Sequence, residues 1–269
     1  MIVDIHTHCF KEHVAARILC KLAAASGLIP CTDGTTAGLL REMEISGVDY
    51  AVLAPVAVVP EQMQSVNDFA LAAAAASQGR VIAFAGIHPA AADMEQELRR
   101  VKALGARGVK FHPHYQEIYI DDPSVERMIR LASELDLPVL FHAGDDPGLP
   151  PPIYAPPERT ARLLDRLADC RNLRLIAAHL GGWRMWDEVE KHLAGRPELY
   201  LDTACSGGLI DPEQYRRIIL RHGPERVLFG SDCPWQGQGE ALRYLRALQL
   251  PAADEAKIEG GNAARLLGL

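Results

Sequence analysis

The chain has no CxxC pair, no glycine-rich phosphate loop, and no apolar run near the ~18 residues of a membrane span. Its six cysteines (Cys9, Cys20, Cys31, Cys170, Cys205, Cys233) are scattered, which excludes a disulfide framework or a thiolate metal knuckle. Reduced thiols in a cytoplasm fit that usage, with Cys9 and Cys233 as small buried fillers. Positive charge is not in excess either. Net charge is −7, with 28 Lys and Arg against 35 Asp and Glu. That balance disfavours a nucleic-acid partner, which needs a basic patch. Without GxGxxG or GxxxxGK[ST], an open doubly wound sheet lacks its usual phosphate loop. The first apolar run starts at residue 2, without a basic segment or cleavage site, so neither a leader nor a membrane anchor is expected. The Ala-rich stretch Phe69 to Ala76 is too short to span and reads as helix.

What is present is a large apolar fraction, 48% of 269 residues, enough for one domain over 1–269. Eight β-rich apolar runs stand at 2–5, 50–55, 81–86, 107–111, 137–141, 173–177, 199–202 and 226–229. Between them lie helical patterns near 12–26, 36–46, 61–78, 90–104, 124–135, 157–169, 183–194, 211–221 and 237–248, with a last helix near 252–267. Strands apolar on both faces and separated by helices predict a parallel sheet. Eight such units predict a somewhat distorted (β/α)8 barrel with an extra C-terminal helix. After the fifth run comes a proline-rich segment, Asp145 to Pro157, with five prolines in 150–157. It is either a rim of the barrel mouth or a stiff surface connection.

The histidines follow the strands. Seven of ten (His6, His8, His88, His112, His114, His142, His179) fall at or just past strand ends, and only His13, His192 and His222 fall in helices. In a parallel barrel all C-terminal strand ends open on one mouth, so these residues converge. His6 and His8, at i and i+2, project to one face of the first strand. Strand alternation puts Asp4 on that side and Val3 and Ile5 on the other, and Asp4, buried, needs a partner. A catalytic divalent metal wants three or four N/O ligands and an open position for water. His6, His8, His142 and Asp232 can supply them, with His179 beside the water. Zn²⁺ is the first choice, and Mn²⁺, Fe²⁺, Co²⁺ and Ni²⁺ stay open.

The chain resembles the amidohydrolase superfamily, in particular its amidohydrolase-related group (amidohydrolase family 2). The likeness runs through Asp4-Ile5-His6-Thr7-His8, Gly108-Val109-Lys110-Phe111-His112-Pro113, Phe141-His142, Ala178-His179-Leu180-Gly181-Gly182, Leu201-Asp202-Thr203, Phe229-Gly230-Ser231-Asp232 and Gly261-Asn262-Ala263-Ala264-Arg265-Leu266-Leu267. The resemblance implies a distorted TIM barrel with one divalent metal on His6, His8, His142 and Asp232. It implies His179 as a catalytic or supporting histidine. It also implies hydrolysis of a C–N or C–O bond in a small molecule, or non-oxidative decarboxylation of an aromatic or unsaturated acid.

In the hydrolase reading Asp232 takes the water proton and passes it on, while His179 hydrogen-bonds the carbonyl oxygen or the water. In the decarboxylase reading one of the two protonates carbon. Some amidohydrolases carbamylate a lysine on the fourth strand to bridge two metals. Here Lys110 is expected to stay an amine in a mononuclear site and to bind substrate. His112, Trp183 and Trp235 are further candidates for substrate binding. His114 is either at the site or solvated, and His88 orients the mouth. Asp202 is either a cap or an orienter of a ligand histidine. Trp186 reads as helix packing. A TatD-like nuclease would place a carboxylate where Lys110 stands, and a binding protein on the same fold is the remaining alternative. A homo-oligomer such as a dimer is left open.

Overall fold

The computed structural model describes residues 1–269. Strand and helix alternate throughout. β1 (Val3–Thr7) leads to α1 (Glu12–Ser26) and α2 (Thr36–Ser46), and β2 (Tyr50–Leu53) to α3 (Met63–Ala76). β3 (Val81–Ala83) and β4 (Ala85–Gly86) lead to α4 (Met94–Ala103). β5 (Val109–Phe111) leads to α5 (Pro113–Gln116) and α6 (Pro123–Glu134), β6 (Val139–Phe141) to α7 (Pro157–Arg166), and β7 (Leu175–Ala177) to α8 (Trp186–His192). β8 (Leu199–Asp202) leads to α9 (Pro212–His222), and β9 (Val227–Leu228) to α10 (Gln238–Ala247), α11 (Ala252–Ala256) and α12 (Asn262–Leu267). Local chemistry marks the boundaries. Proline opens α5, α6, α7 and α9, where its missing N–H costs nothing. Asp122 and Asp211 cap α6 and α9 with their side chains.

All strand pairs are parallel, in the order β1-β2-β3 and β4 through β9. β3 and β4 are halves of one strand that changes partner at Phe84. Phe84 N–H donates to Leu53 O, and Ala85 N–H to Gly108 O. At the other seam Ile5 N–H donates to Phe229 O, Asp232 N–H to His6 O and His8 N–H to Cys233 O. Thr7 and Cys233 form a parallel bridge there. The eight staves thus follow one another around a (β/α)8 barrel.

Two apolar layers result. The larger packs outward residues such as Leu53, Val109, Phe111, Phe141 and Leu201 against the helices. The smaller fills the interior with Val3, Ile5, Val52, Ile82, Phe84, Leu140, Ile176 and Leu228. Ala263, Leu266 and Leu267 of α12 join the inner layer and plug the end opposite the mouth. The C-terminal helix runs unbroken from α11 to α12 through a π-turn over Lys257–Gly261. It hangs on the barrel through Ile258 O, which accepts Phe229 N–H.

β1 departs from plain alternation. Its register to β2 slips between Asp4 and Thr7, where Asp4 faces Ala51 and Thr7 faces Leu53. Three residues of β1 therefore span two of β2, so one residue is extra, as in a β-bulge. Val3 and Ile5 join the interior, and beyond the slip His6 and His8 project inward as well. Asp4 is thereby sent to the outer side, correcting its expected place beside the histidines. Its carboxylate accepts Ser231 Oγ–H at 2.5 Å and Gln238 Nε2–H at 2.8 Å, from the start of α10. Burial still pushes its pKa up to about 7.

Candidate metal centre

Each inward residue at the mouth is placed by its strand end. His6 and His8 come from β1, Lys110 from β5, His142 from the end of β6, Asp202 from β8, and Asp232 from the turn after β9. His179 follows β7 in a tight turn, at φ 59°. Its N–H donates to Asp202 Oδ1 at 2.8 Å.

The structure brings His6, His8 and Asp232 together. His6 Nε2 lies 3.2 Å from His8 Nε2 and 3.4 Å from Asp232 Oδ1, and His8 Nε2 lies 3.0 Å from that oxygen. Two ligands ~2.0–2.1 Å from one ion at a tetrahedral angle stand about 3.3–3.4 Å apart. The spacing suits a shared divalent ion.

Tautomers make the case stronger. His6 Nδ1–H donates to Asp202 Oδ2 at 2.9 Å, and His8 Nδ1–H to Ala54 O at 2.7 Å. Ionised carboxylates and carbonyls only accept, so each neutral ring spends its single N–H outward. Both Nε2 atoms then aim lone pairs at each other and at an anionic oxygen. The same occurs one step away. His179 Nδ1–H donates to Ala204 O at 3.0 Å, and His142 Nε2–H to Asp145 O at 2.9 Å. Their inner nitrogens, His179 Nε2 and His142 Nδ1, face each other at 3.0 Å. His6 Nε2, His8 Nε2 and Asp232 Oδ1 thus meet as acceptors, an arrangement that a cation satisfies, with the His142 and His179 pair beside them.

Lys110 is the donor the chain itself supplies. Its Nζ donates to His6 Nε2 at 2.8 Å, and the residue is 1% exposed. Burial lowers its pKa to about 8 against the pull of Asp232 and Asp202. His6 is held well below the usual imidazole range, by burial first and then by Lys110. Burial likewise lowers His142, reinforced by His112 and His179. Asp232 is buried too, which raises a carboxyl, but the facing His6 and His8 outweigh this and hold it well below its usual value. Burial raises Asp202, opposed by His179. With Lys110 as the one cation against these two carboxylates, the site has room for more positive charge.

His142, expected beside His6 and His8, stands instead against His179 and His112. Its ring stacks on His112 with centroids 4.2 Å apart, and its Nε2 lies 3.9 Å from Asp146 Oδ2. His112 caps α5, its Nδ1 accepting Tyr115 N–H, so Nε2–H faces Asp146 Oδ2 at 3.4 Å. In this second His–His–Asp cluster both Nε2 atoms carry hydrogens with acceptors in reach, so it closes as hydrogen bonds without an ion. Burial still lowers His112 to about 4, opposed by Asp146. His114 lies in α5, buried rather than solvated, with Nδ1 unpartnered, and His88 Nδ1 is unpartnered too. Neither touches the His6 group.

Trp183 is buried in the outer core and donates to Cys205 O at 3.2 Å, so it braces loops behind the mouth. Trp235 stays half-buried beside Asp232, whose carbonyl accepts its backbone N–H. Trp186 packs in the core, its indole N–H donating to His179 O. Asp202 acts as the orienter of His6. Asp146 went unremarked in the sequence, and the only sign of it was an acidic pair opening the proline-rich segment. That segment belongs to the rim. Asp146 touches His112, and Gly144 bridges Ala155 and Trp183. Gly144 has φ +86°, and a Cβ there would lie 2.2 Å from Trp183 N, so only glycine fits.

A (β/α)8 barrel whose C-terminal mouth gathers histidines and an aspartate defines a class of metal-dependent barrel proteins. A family model described as Amidohydrolase matches residues 3–269, and the chain belongs to that family. No curated protein matches it. Among solved structures, an uncharacterised TIM-barrel protein from Bordetella bronchiseptica superposes with TM-score 0.82 at 22% identity, covering 99% of this chain and 98% of that one. A dihydroxybenzoic acid decarboxylase from Polaromonas, with bound manganese and 2-nitroresorcinol, gives TM-score 0.72 at 21% identity over 100% and 97%. A probable 2-pyrone-4,6-dicarboxylic acid hydrolase from Acinetobacter baumannii, with citric acid bound, gives 0.71 at 16% over 100% and 99%. No helix is long and apolar enough to cross a membrane.

Proposed function

We propose that the protein is a metal-dependent hydrolase that opens a C–N or C–O bond (an amide, lactone or ester) in a small molecule. The observation that carries this reading is the meeting of His6 Nε2, His8 Nε2 and Asp232 Oδ1, with both ring lone pairs turned inward. His6, His8 and Asp232 would hold the ion, with His142 Nδ1 as the fourth ligand once it parts from His179. Zn²⁺ suits this donor set first, and Mn²⁺, Fe²⁺, Co²⁺ or Ni²⁺ also fit. The manganese in the Polaromonas decarboxylase supports a divalent ion at this mouth. When bound, it supplies Lewis acidity and lowers the pKa of a water toward ~7.

The chain's own residues do the rest. Asp232, kept ionised, accepts the proton of the attacking water and passes it to the leaving group. His179, anchored through Nδ1 on Ala204 O, presents Nε2 to the carbonyl oxygen or to the water. Lys110 stays an amine and binds a substrate oxygen, while His112 and Trp235 flank it. The six free thiols support a reducing compartment such as the cytoplasm.

Decarboxylation of an unsaturated or aromatic acid is the second reading. It is favoured by the buried Lys110 cation, which suits a carboxylate. A panel of lactones, amides and esters beside aromatic acids, assayed with and without chelator, tests both. Hydrolysis lost on chelation and restored by Zn²⁺ or Mn²⁺ is expected. Metal-dependent CO2 release from an acid, with no hydrolysis, selects the second reading. Turnover unchanged after complete metal removal overturns both.

A further inference from the structure

Two thiols far apart in sequence meet beside the turn that carries Asp232. Cys31 Sγ lies 3.9 Å from Cys233 Sγ. Cys31 is exposed, in the loop between α1 and α2, and Cys233 is buried. The two are held differently. Cys233 is fixed by three contacts: its N–H donates to Ser231 Oγ at 2.9 Å, its carbonyl accepts His8 N–H at 2.6 Å, and it bridges Thr7. The Cys31 backbone is tied to that turn by one bond, its N–H donating to Pro234 O at 2.7 Å. A disulfide needs ~2.05 Å between sulfurs, so the exposed loop has to move inward while the core stays still. The other thiols are otherwise engaged or apart: Cys9 Sγ sits at Thr36 Oγ1, Cys205 Sγ at Ser231 O, and Cys170 Sγ at its neighbour's carbonyl.

We propose that Cys31 and Cys233 are a modification site for hydroperoxides, which convert them to a reversible intramolecular disulfide. The Cys31 thiolate attacks one peroxide oxygen and the O–O bond breaks, giving a sulfenic acid and hydroxide. The Cys233 sulfur then attacks the Cys31 sulfur and the S–O bond breaks. The leaving hydroxide takes the Cys233 proton as water. In sum, two thiols and one hydrogen peroxide give one disulfide and two waters. The bond staples the 27–34 loop to the Asp232 turn without adding any group to the mouth.

Full-length protein is treated with a small excess of hydrogen peroxide, then analysed by intact mass, thiol titration in denaturant and non-reducing peptide mapping. The expected result is loss of the mass of two hydrogen atoms, a fall from six titratable thiols to four, a Cys31–Cys233 linked peptide, and full reversal by dithiothreitol. Cys31→Ser, an exposed change that spares the core, should give no link. Cys233→Ser should leave a Cys31 sulfenic acid that dimedone traps. Sulfinate at Cys31 with Cys233 still a thiol overturns the proposal. So does a link to Cys205 or to a second chain, and so do six unchanged thiols.

Discussion

At the residue scale the site is governed by where four imidazoles spend their single proton. A neutral ring has one N–H and one lone pair, and an acceptor-only partner outside the site forces the lone pair inward. Asp202 does this for His6, and Ala54, Ala204 and Asp145 carbonyls do it for the others. Asp202→Asn tests the principle, because its amide nitrogen cannot accept. Metal affinity is expected to fall about 10–100-fold, read by competition with a chelator, with the far-ultraviolet spectrum unchanged. Undiminished affinity would show that the orientation of His6 does not matter.

His112 gives a second test, through pH. Its folded pKa is lowered to about 4, from an ordinary value of 6.5. Between those values the native state binds fewer protons than the unfolded chain. Stability is therefore complete above 6.5 and is lost as pH falls toward 4. At about 1.4 kcal/mol per pH unit, the loss is of order 3 kcal/mol. His112→Gln removes this group from the titration. Its unfolding midpoint should drop less between pH 7 and 5 than that of the native chain, and equal slopes would contradict the burial argument.

At the scale of elements, β1 shows what sequence could and could not reveal. The eight strand runs and most helices were legible because apolar strands and amphipathic helices carry their periods openly. Local caps such as Asp122-Pro123 and Asp211-Pro212 agree with them. The slip between Asp4 and Thr7 was not legible, because alternation is blind to an extra residue. It moved Asp4 outward and placed Ile5 and His6 on the same side. His112 and His114 do fall just past a strand end, but alternation could not show that His112 caps a helix directly after Phe111. Of the site, His6, His8 and Asp232 were legible as polar residues at strand ends. The Ala54 and Ala204 carbonyls were not, since no side chain announces them.

The C-terminal helix is the other instructive element. Leu266 and Leu267 fill the barrel end away from the mouth, and Arg174 and Arg107 donate to their carbonyls. Leu266→Ala should cost about 2–4 kcal/mol by chemical denaturation, with metal content unchanged. A variant that lost metal while staying fully folded would couple the plug to the site, against this assignment.

For the whole molecule, parallel strands turn distance in sequence into proximity at one mouth. His6 and Asp232 are 226 positions apart, yet they contact at 3.4 Å because β1 and β9 adjoin at the seam. The central claim is that this convergence makes a cation site. The most direct measurement is metal stoichiometry by elemental analysis of the full chain beside the double variant His6→Ala, His8→Ala, each checked for native fold. Close to one divalent ion per native chain and almost none in the variant is the predicted result. Equal metal content in the two proteins would contradict the account.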